Sequence, residues 1–176
     1  MTILNHQVFR LAVIASLTLL ATACRADCEM DNPALQAMQP IEVMIEIDSE
    51  KTVKVDALHA DDHYERSQGF QRVCAARIES TAILFDFGAR VMPAFHMNNV
   101  VAPIDIAFID QRGKIESIQS MQPYSSTGLK PLYQPSRPVV AALEVAPGFF
   151  AHHGISIEST LTWGLNTQES TELPKE

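Results

Sequence analysis

Three polar side chains in or near apolar segments could together perform acid–base chemistry. Asp105 lies within the apolar run 104–110, Glu144 lies within 139–145, and His96 precedes the first run. If the two carboxyl groups approached each other, like-charge repulsion would raise one pKa, which produces acid–base pairs. The residues therefore allow a hydrolase using Asp105 and Glu144, with His96 assisting as base or acid, provided that all three converge on an open cleft.

A structural interpretation of Asp105 competes with the catalytic one. An ionised carboxyl group on a covered strand is costly unless donors satisfy it. The nearest donors along the chain are the amides of Asn98 and Asn99 and the N–H groups of the same turn. The sequence favours hydrogen bonds that fix the approach to the strand, with a ligand site as the alternative.

Metal and nucleophile chemistry have weaker support. His59 and His63 are spaced i, i+4 with Asp61 and Asp62 between them, but this spacing spans a predicted strand end and helix start. The sequence has no His-Glu-x-x-His, Cys-x-x-Cys or Gly-x-Ser-x-Gly motif and no glycine-rich phosphate loop. Solvated histidines are favoured, and the sequence predicts no metal and no cofactor.

The elements that must position these residues are short. Alternating or continuous apolar runs predict strands, and Asp61 or Asp62 and Pro147 can each begin a short helix. The predicted strands are 41–47, 49–55, 81–87, 104–110, 114–121, 139–145 and 159–163, with helices near 61–68 and 147–154. This pattern predicts a mainly β fold, a small closed or strongly bent antiparallel β-barrel of about seven strands with two short helices.

Several motifs resemble those of the DUF192 (UPF0127) family. Residues 96–110 are similar to its core motif, "ERSQGFQ" to its Glu-Arg-x-x-Gly segment, and "ALEVAPG" to its Leu-Glu-Val-x-x-Gly close. The likeness extends over about residues 43–163. The chain differs from the family at His96, where the family has Trp, at Val100, where it has Thr, and at Glu158-Ser159, where it has Gly-Asp. The resemblance implies a small closed β-barrel, often exported, with no established activity.

The amino terminus resembles an export signal. Arg10 precedes an uncharged run from Leu11 to Ala23, which is too short to span a bilayer and ends in a small-x-small cleavage pattern. We expect a signal peptide over 1–23, a linker over 24–39, one domain over 40–164 and a disordered tail over 165–176. Because Cys24 follows Ala23 directly, the alternative is a lipoprotein signal with lipidation at Cys24.

The three cysteines suggest one disulfide. If Cys24 is lipidated or removed, Cys28 and Cys74 remain as an even pair, and the oxidising periplasm would favour their joining. Two unpaired thiols are the alternative.

Charge disfavours several partners. The chain has 13 basic and 21 acidic residues, a net charge of −8, and removal of Arg10 with the signal would leave 12 − 21 = −9. This excess repels phosphate backbones and anionic lipid headgroups, so we expect no nucleic-acid partner and membrane contact only through an anchor at Cys24.

The leading functional hypothesis is a non-catalytic periplasmic module that binds a small molecule, a glycan or a partner protein. We expect a groove between the proline-rich loop 122–137 and the segment 97–105. The loop contains Tyr124 and Tyr133, whose amphipathic side chains suit recognition of a ligand. The candidate ligand-binding residues are His96, Met97, Asn99, Asp105, Tyr124, Tyr133 and Glu144. The alternatives are the hydrolase and a structural lipoprotein that scaffolds a complex.

Overall fold

The computed structural model describes residues 28–165, which form seven strands and four short helices. The strands are β1 (Gln39–Glu46), β2 (Thr52–Ala60), β3 (Ala82–Val91), β4 (Ile104–Ile109), β5 (Ile115–Met121), β6 (Val139–Val145) and β7 (Thr160–Leu165). The helices are α1 (Pro33–Ala37), α2 (His63–Gln68), α3 (Ala75–Glu79) and α4 (Phe149–His153). The prediction of a mainly β fold with seven strands is confirmed, and α2 and α4 are the two expected helices.

The strands form one sheet in the order β5-β4-β6-β3-β2-β1-β7. Its two edge strands, β5 and β7, meet only at an isolated bridge between Lys114 and Thr160. The sheet is therefore not closed into a barrel, although the sequence analysis allowed a closed one. The β2–β3 pair is also parallel, whereas the sequence predicted an antiparallel fold. The connection 61–81 explains this difference, because it contains α2 and α3 and is long enough for the crossover that parallel strands require.

Both faces of the sheet are covered. The inner face buries apolar residues from all seven strands, among them Val43, Leu143 and Leu161, together with Phe150 of α4. The outer face is covered by α1, α3 and the segments 70–73 and 97–102. Strand β4 is buried along its whole length, as its two apolar faces predicted.

The segment expected to be a linker is part of the domain. Ala34 and Leu35 of α1 are buried in the outer core, and the predicted linker extends into the first residue of β1. A disulfide joins Cys28 to Cys74, the residue before α3, which confirms the predicted pairing. The predicted signal peptide, Cys24 and residues 166–176 of the predicted tail lie outside the described residues.

Local sequence signals correctly predicted the positions of α2 and of the turn between β4 and β5. The Asp62 carboxylate accepts a hydrogen bond from Glu65 N at 2.7 Å and caps α2, and Gly69 ends that helix at a φ of 45°. Gly113 turns β4 into β5 at a φ of 78°, a left-handed conformation that glycine adopts without strain.

Candidate functional site

A cavity of about 220 Å³ opens on the outer face of the sheet. We call it the Glu144 cavity, because Glu144, on the interior strand β6, is one of the residues that line it. Its walls come from the end of α2 and the residues after it, from β3 and from the segment 93–100. Most of the lining side chains are apolar, and these are Phe70, Phe85, Phe87, Pro93, Ala94, Phe95, Met97, Val100 and Ile104.

Glu144 is the buried polar group of this cavity. Its side chain lies on the outer face between Ile83 of β3 and Ile106 of β4, both fully buried, and the residue is 6% exposed. Burial alone raises the pKa of Glu144 to about 8, because the charged form loses its hydration without gaining a partner. Within residues 28–165, no side chain or N–H group donates a hydrogen bond to this carboxyl. The cavity therefore contains a buried acid that has no hydrogen-bond donor from the described residues.

Two other ionisable side chains line the cavity. Arg66 of α2 donates to the carbonyl oxygens of Asp61 and Asp86, the latter at 2.9 Å, so its guanidinium is engaged by the backbone. His96 is partly buried, and its Nδ1 accepts from Asn98 N at 3.4 Å. Neither contributes to the shifted pKa of Glu144.

The segment 93–100 is held beside α2 by hydrogen bonds. Asn99 has a φ of 57°, its carbonyl oxygen accepts from Arg72 N at 2.7 Å, and its side-chain amide donates to Gln71 at 3.2 Å. Asn99 was predicted to bind ligand, but it does not line the cavity and instead fastens one of its walls.

Asp105 points away from the cavity. Asp105 pairs with Val145 and Glu144 pairs with Ile106, so the two carboxyl groups lie on opposite faces of the sheet. The predicted hydrolase required the two groups to converge, and this arrangement excludes that pairing.

The carboxylate of Asp105 has a structural role. One oxygen accepts from Ser120 Oγ at 2.6 Å and the other from Gly148 N at 2.7 Å, which connects β4 to β5 and to the start of α4. The prediction that hydrogen-bond donors satisfy the buried Asp105 carboxylate is confirmed. The expectation that Asn98 and Asn99 supply them is wrong, because the donors come from strand and helix ends distant in sequence.

The loop 122–138 does not border the Glu144 cavity. Tyr133 pairs with Phe95 through two backbone hydrogen bonds of 2.9 Å, and its hydroxyl accepts from Gln122 N at 3.2 Å. Tyr124 donates its hydroxyl proton to the carbonyl of Pro131. Both tyrosines are partly buried against the outer core, so their contacts organise the loop. The structure thus brings together His96, Met97 and Glu144 of the predicted set, and it separates Asn99, Asp105, Tyr124 and Tyr133 from them.

A carboxylate on β5 fastens the end of this loop. Burial acts to raise the pKa of Glu116, but hydrogen bonds from Ser117 and Ser136 outweigh it and hold that pKa below its usual value. The loop is therefore attached to the sheet at 116 and 136.

Within residues 28–165, no three His, Cys, Asp or Glu side chains are grouped so that they could hold a metal ion. His59 lies 3.6 Å from carboxylate oxygens of both Asp61 and Asp86. In the same range, no helix has the length and apolar character needed to cross a bilayer.

Residues 43–163 match the model of DUF192, a family described as uncharacterized ACR. This chain belongs to the DUF192 family. The match includes all of β2–β6 and the residues that form the Glu144 cavity. Among curated proteins, none matches this chain.

Two solved structures are similar to this DUF192 protein. A Sinorhizobium meliloti 1021 protein described as a "putative transcription regulator" is 26% identical, with a TM-score of 0.62 over 72% of this chain and 95% of its own. A Novosphingobium aromaticivorans DSM 12444 protein of unknown function is 21% identical, with a TM-score of 0.60 over 76% of this chain and 99% of its own. The similarity to the N. aromaticivorans protein, at 21% identity, is evidence for a shared fold only.

Sequence reasoning missed the aromatic walls of the cavity. Phe70, Phe85, Phe87 and Phe95 come from three separate segments, and each fits an ordinary core position. One signal was available, the glutamate in the otherwise apolar run "VVAALEV", which marks Glu144 as unusual.

Proposed function

We propose that this DUF192 protein is an exported, non-catalytic binding protein that takes a small, partly apolar ligand in the Glu144 cavity. The observation that carries this proposal is a solvent-connected cavity with mostly apolar walls and one buried carboxyl group that has no donor from the described residues. Small-molecule sites commonly combine apolar walls with a few polar groups that fix the orientation of the ligand.

The volume limits the size of the ligand. An engineered protein cavity of about 150 Å³ stays dry and binds benzene. The Glu144 cavity, at about 220 Å³, has room for one ring with a short substituent. A long oligosaccharide or peptide would extend well beyond it.

Export and periplasmic location belong to the same proposal. The Cys28–Cys74 disulfide supports it, because such bridges persist in oxidising compartments and are rare in the cytosol. Lipidation at Cys24 and a scaffolding role remain predictions, since Cys24 lies outside the described residues.

The charge of this chain disfavours the role in transcription that the description of the S. meliloti protein suggests. A net charge of −8 repels the DNA backbone, and nucleic-acid binding depends on neutralising phosphates. The proposed partner is a small molecule.

A variant that blocks the cavity tests this function. Ala94 lines the cavity and is exposed, so Ala94→Trp should obstruct the opening with little disturbance to the core. Ala76→Trp, at an exposed position on α3 away from the cavity, is the matched control. Small aromatic amines, alcohols and acids should shift the amide resonances of Gly69, Phe87 and His96 in the wild type and in Ala76→Trp.

The Ala94→Trp variant should lose these shifts. Binding that is unchanged in Ala94→Trp would mean that the compounds bind elsewhere. In that case, and also if no compound binds the wild type, the proposed function is wrong.

A further inference from the structure

Three of the buried carboxyl groups in the described domain differ in how they are satisfied. Glu65, Asp105 and Glu144 are each 6% exposed. Glu65 accepts from Asp61 N at 3.2 Å, and Asp105 accepts from Ser120 and Gly148. Glu144 receives no such bond and faces the cavity. Because a buried polar group normally has a partner, the missing donor is expected to come from outside the described residues.

We propose that the Glu144 cavity binds an organic ammonium compound, with its charged nitrogen beside the Glu144 carboxylate and its hydrocarbon part against the phenylalanine-rich walls. This inference rests on the proposed function and specifies the ligand class. An ammonium group supplies N–H donors and the opposite charge, the two things that the carboxylate lacks. The four lining phenyl rings suit the same group, since aromatic rings and carboxylates together recognise organic cations.

The ammonium group would take the place of a proton. Burial raises the pKa of the Glu144 carboxyl to about 8, so the empty site holds its proton at neutral pH. A cation within hydrogen-bonding distance stabilises the ionised form, and the carboxyl then releases its proton to solvent. The Glu144 carboxyl group and its occupant together have zero net charge before and after binding, so binding buries no uncompensated charge at Glu144.

The other charged groups around Glu144 do not supply this cation. On the neighbouring strands, the residues paired with Glu144 are Ile83 and Ile106. Arg66 on α2 is held by the carbonyl oxygens of Asp61 and Asp86, and His96 on the segment 93–100 has no effect on the pKa of Glu144. Glu144 is therefore the group that should decide the charge preference of the cavity.

The test compares three probes of nearly the same shape, namely 2-phenylethylamine, 2-phenylethanol and phenylacetate. Their affinities for the mature protein are measured by calorimetry at pH 7 in two buffers of different ionisation enthalpy. We expect the amine to bind at least about tenfold more tightly than the alcohol and to release about one proton per site. Because one proton is displaced, amine affinity should rise about tenfold per pH unit between pH 6 and 7.5.

Glu144→Gln provides the matched variant, since it keeps the shape and removes the ionisable group. It should lower amine affinity to that of the alcohol and abolish proton release. Glu46→Gln, an exposed carboxylate on β1, removes the same charge elsewhere and should bind like the wild type.

The outcomes separate this inference from the proposed function. Equal affinity for amine and alcohol, or amine binding that survives in Glu144→Gln, overturns the ammonium assignment and leaves a binding cavity. Tightest binding of phenylacetate overturns it too, and identifies Arg66 or His96 as the recognising group. If no probe binds, or if binding persists in Ala94→Trp, both conclusions fail.

Discussion

Replacing Glu144 with glutamine should stabilise the protein at alkaline pH and change its stability little at pH 4.5. Burial raises the pKa of Glu144 in the folded chain to about 8 from its ordinary value of 4.5. Between about pH 4.5 and 8, the folded state therefore keeps a proton on Glu144 that the unfolded chain has lost. The stability contributed by this neutral carboxyl is fully present below pH 4.5 and is lost as the pH rises through 8.

The size of the effect follows from the two pKa values. A difference of roughly 3.5 units, at about 1.36 kcal/mol per unit, corresponds to about 5 kcal/mol of unfolding free energy. The wild type should lose stability from this group at a slope of about 1.4 kcal/mol per pH unit between pH 5 and 8. Other groups also titrate, so the quantity to compare is the difference between wild type and variant.

Urea unfolding of the disulfide-intact protein from pH 4.5 to 9 measures this difference. The free energy of unfolding of Glu144→Gln should match the wild type at pH 4.5 and exceed it by several kcal/mol at pH 9. Glu46→Gln should follow the wild type throughout, because Glu46 is exposed. Parallel curves for Glu144→Gln and the wild type would refute the reasoning, since they would mean that the carboxyl has the same pKa in both states.

Three further predictions concern the fold. Asp105→Asn should lower the free energy of unfolding at pH 7 by about 1–3 kcal/mol, because the donors on Ser120 and Gly148 lose a charged acceptor; a urea midpoint equal to that of the wild type would contradict this role. Gly113→Ala should cost at least about 1–3 kcal/mol in chemical denaturation, because its Cβ would lie 2.4 Å from the Leu161 carbonyl oxygen where the sheet edges meet; an unchanged melting temperature would show that this turn adapts. Replacing Cys28 and Cys74 with serine should cost about 4 kcal/mol on the chain-entropy model for a sequence separation of 46, and reduction of the wild type should lower its melting temperature to that of the double variant.

Much of the fold was accessible from local sequence pattern. The covered strand β4, the Asp62 cap and the Gly113 turn depend on residues within a few positions of one another, where spacing predicts geometry directly. The missed helix α1 has a weaker signal, although Asn32 caps it by accepting from Leu35 N at 2.8 Å. A helix of five residues contains too few positions for a clear period, and α4, which is equally short, was predicted from Pro147 before it and Gly154 after it.

By itself, the sequence determined the approximate positions of the strands, the candidate Cys28–Cys74 pair and the placement of Asp105 and Glu144 in apolar strands. Each of these depends on the character of individual side chains and their near neighbours. Tertiary structure alone decided that β6 lies between β3 and β4, so that Glu144 faces the outer cavity while Asp105 faces inward. A shift of one residue in strand pairing would reverse these faces, and register depends on contacts between distant segments, such as Asp105 with Gly148, that local pattern does not encode.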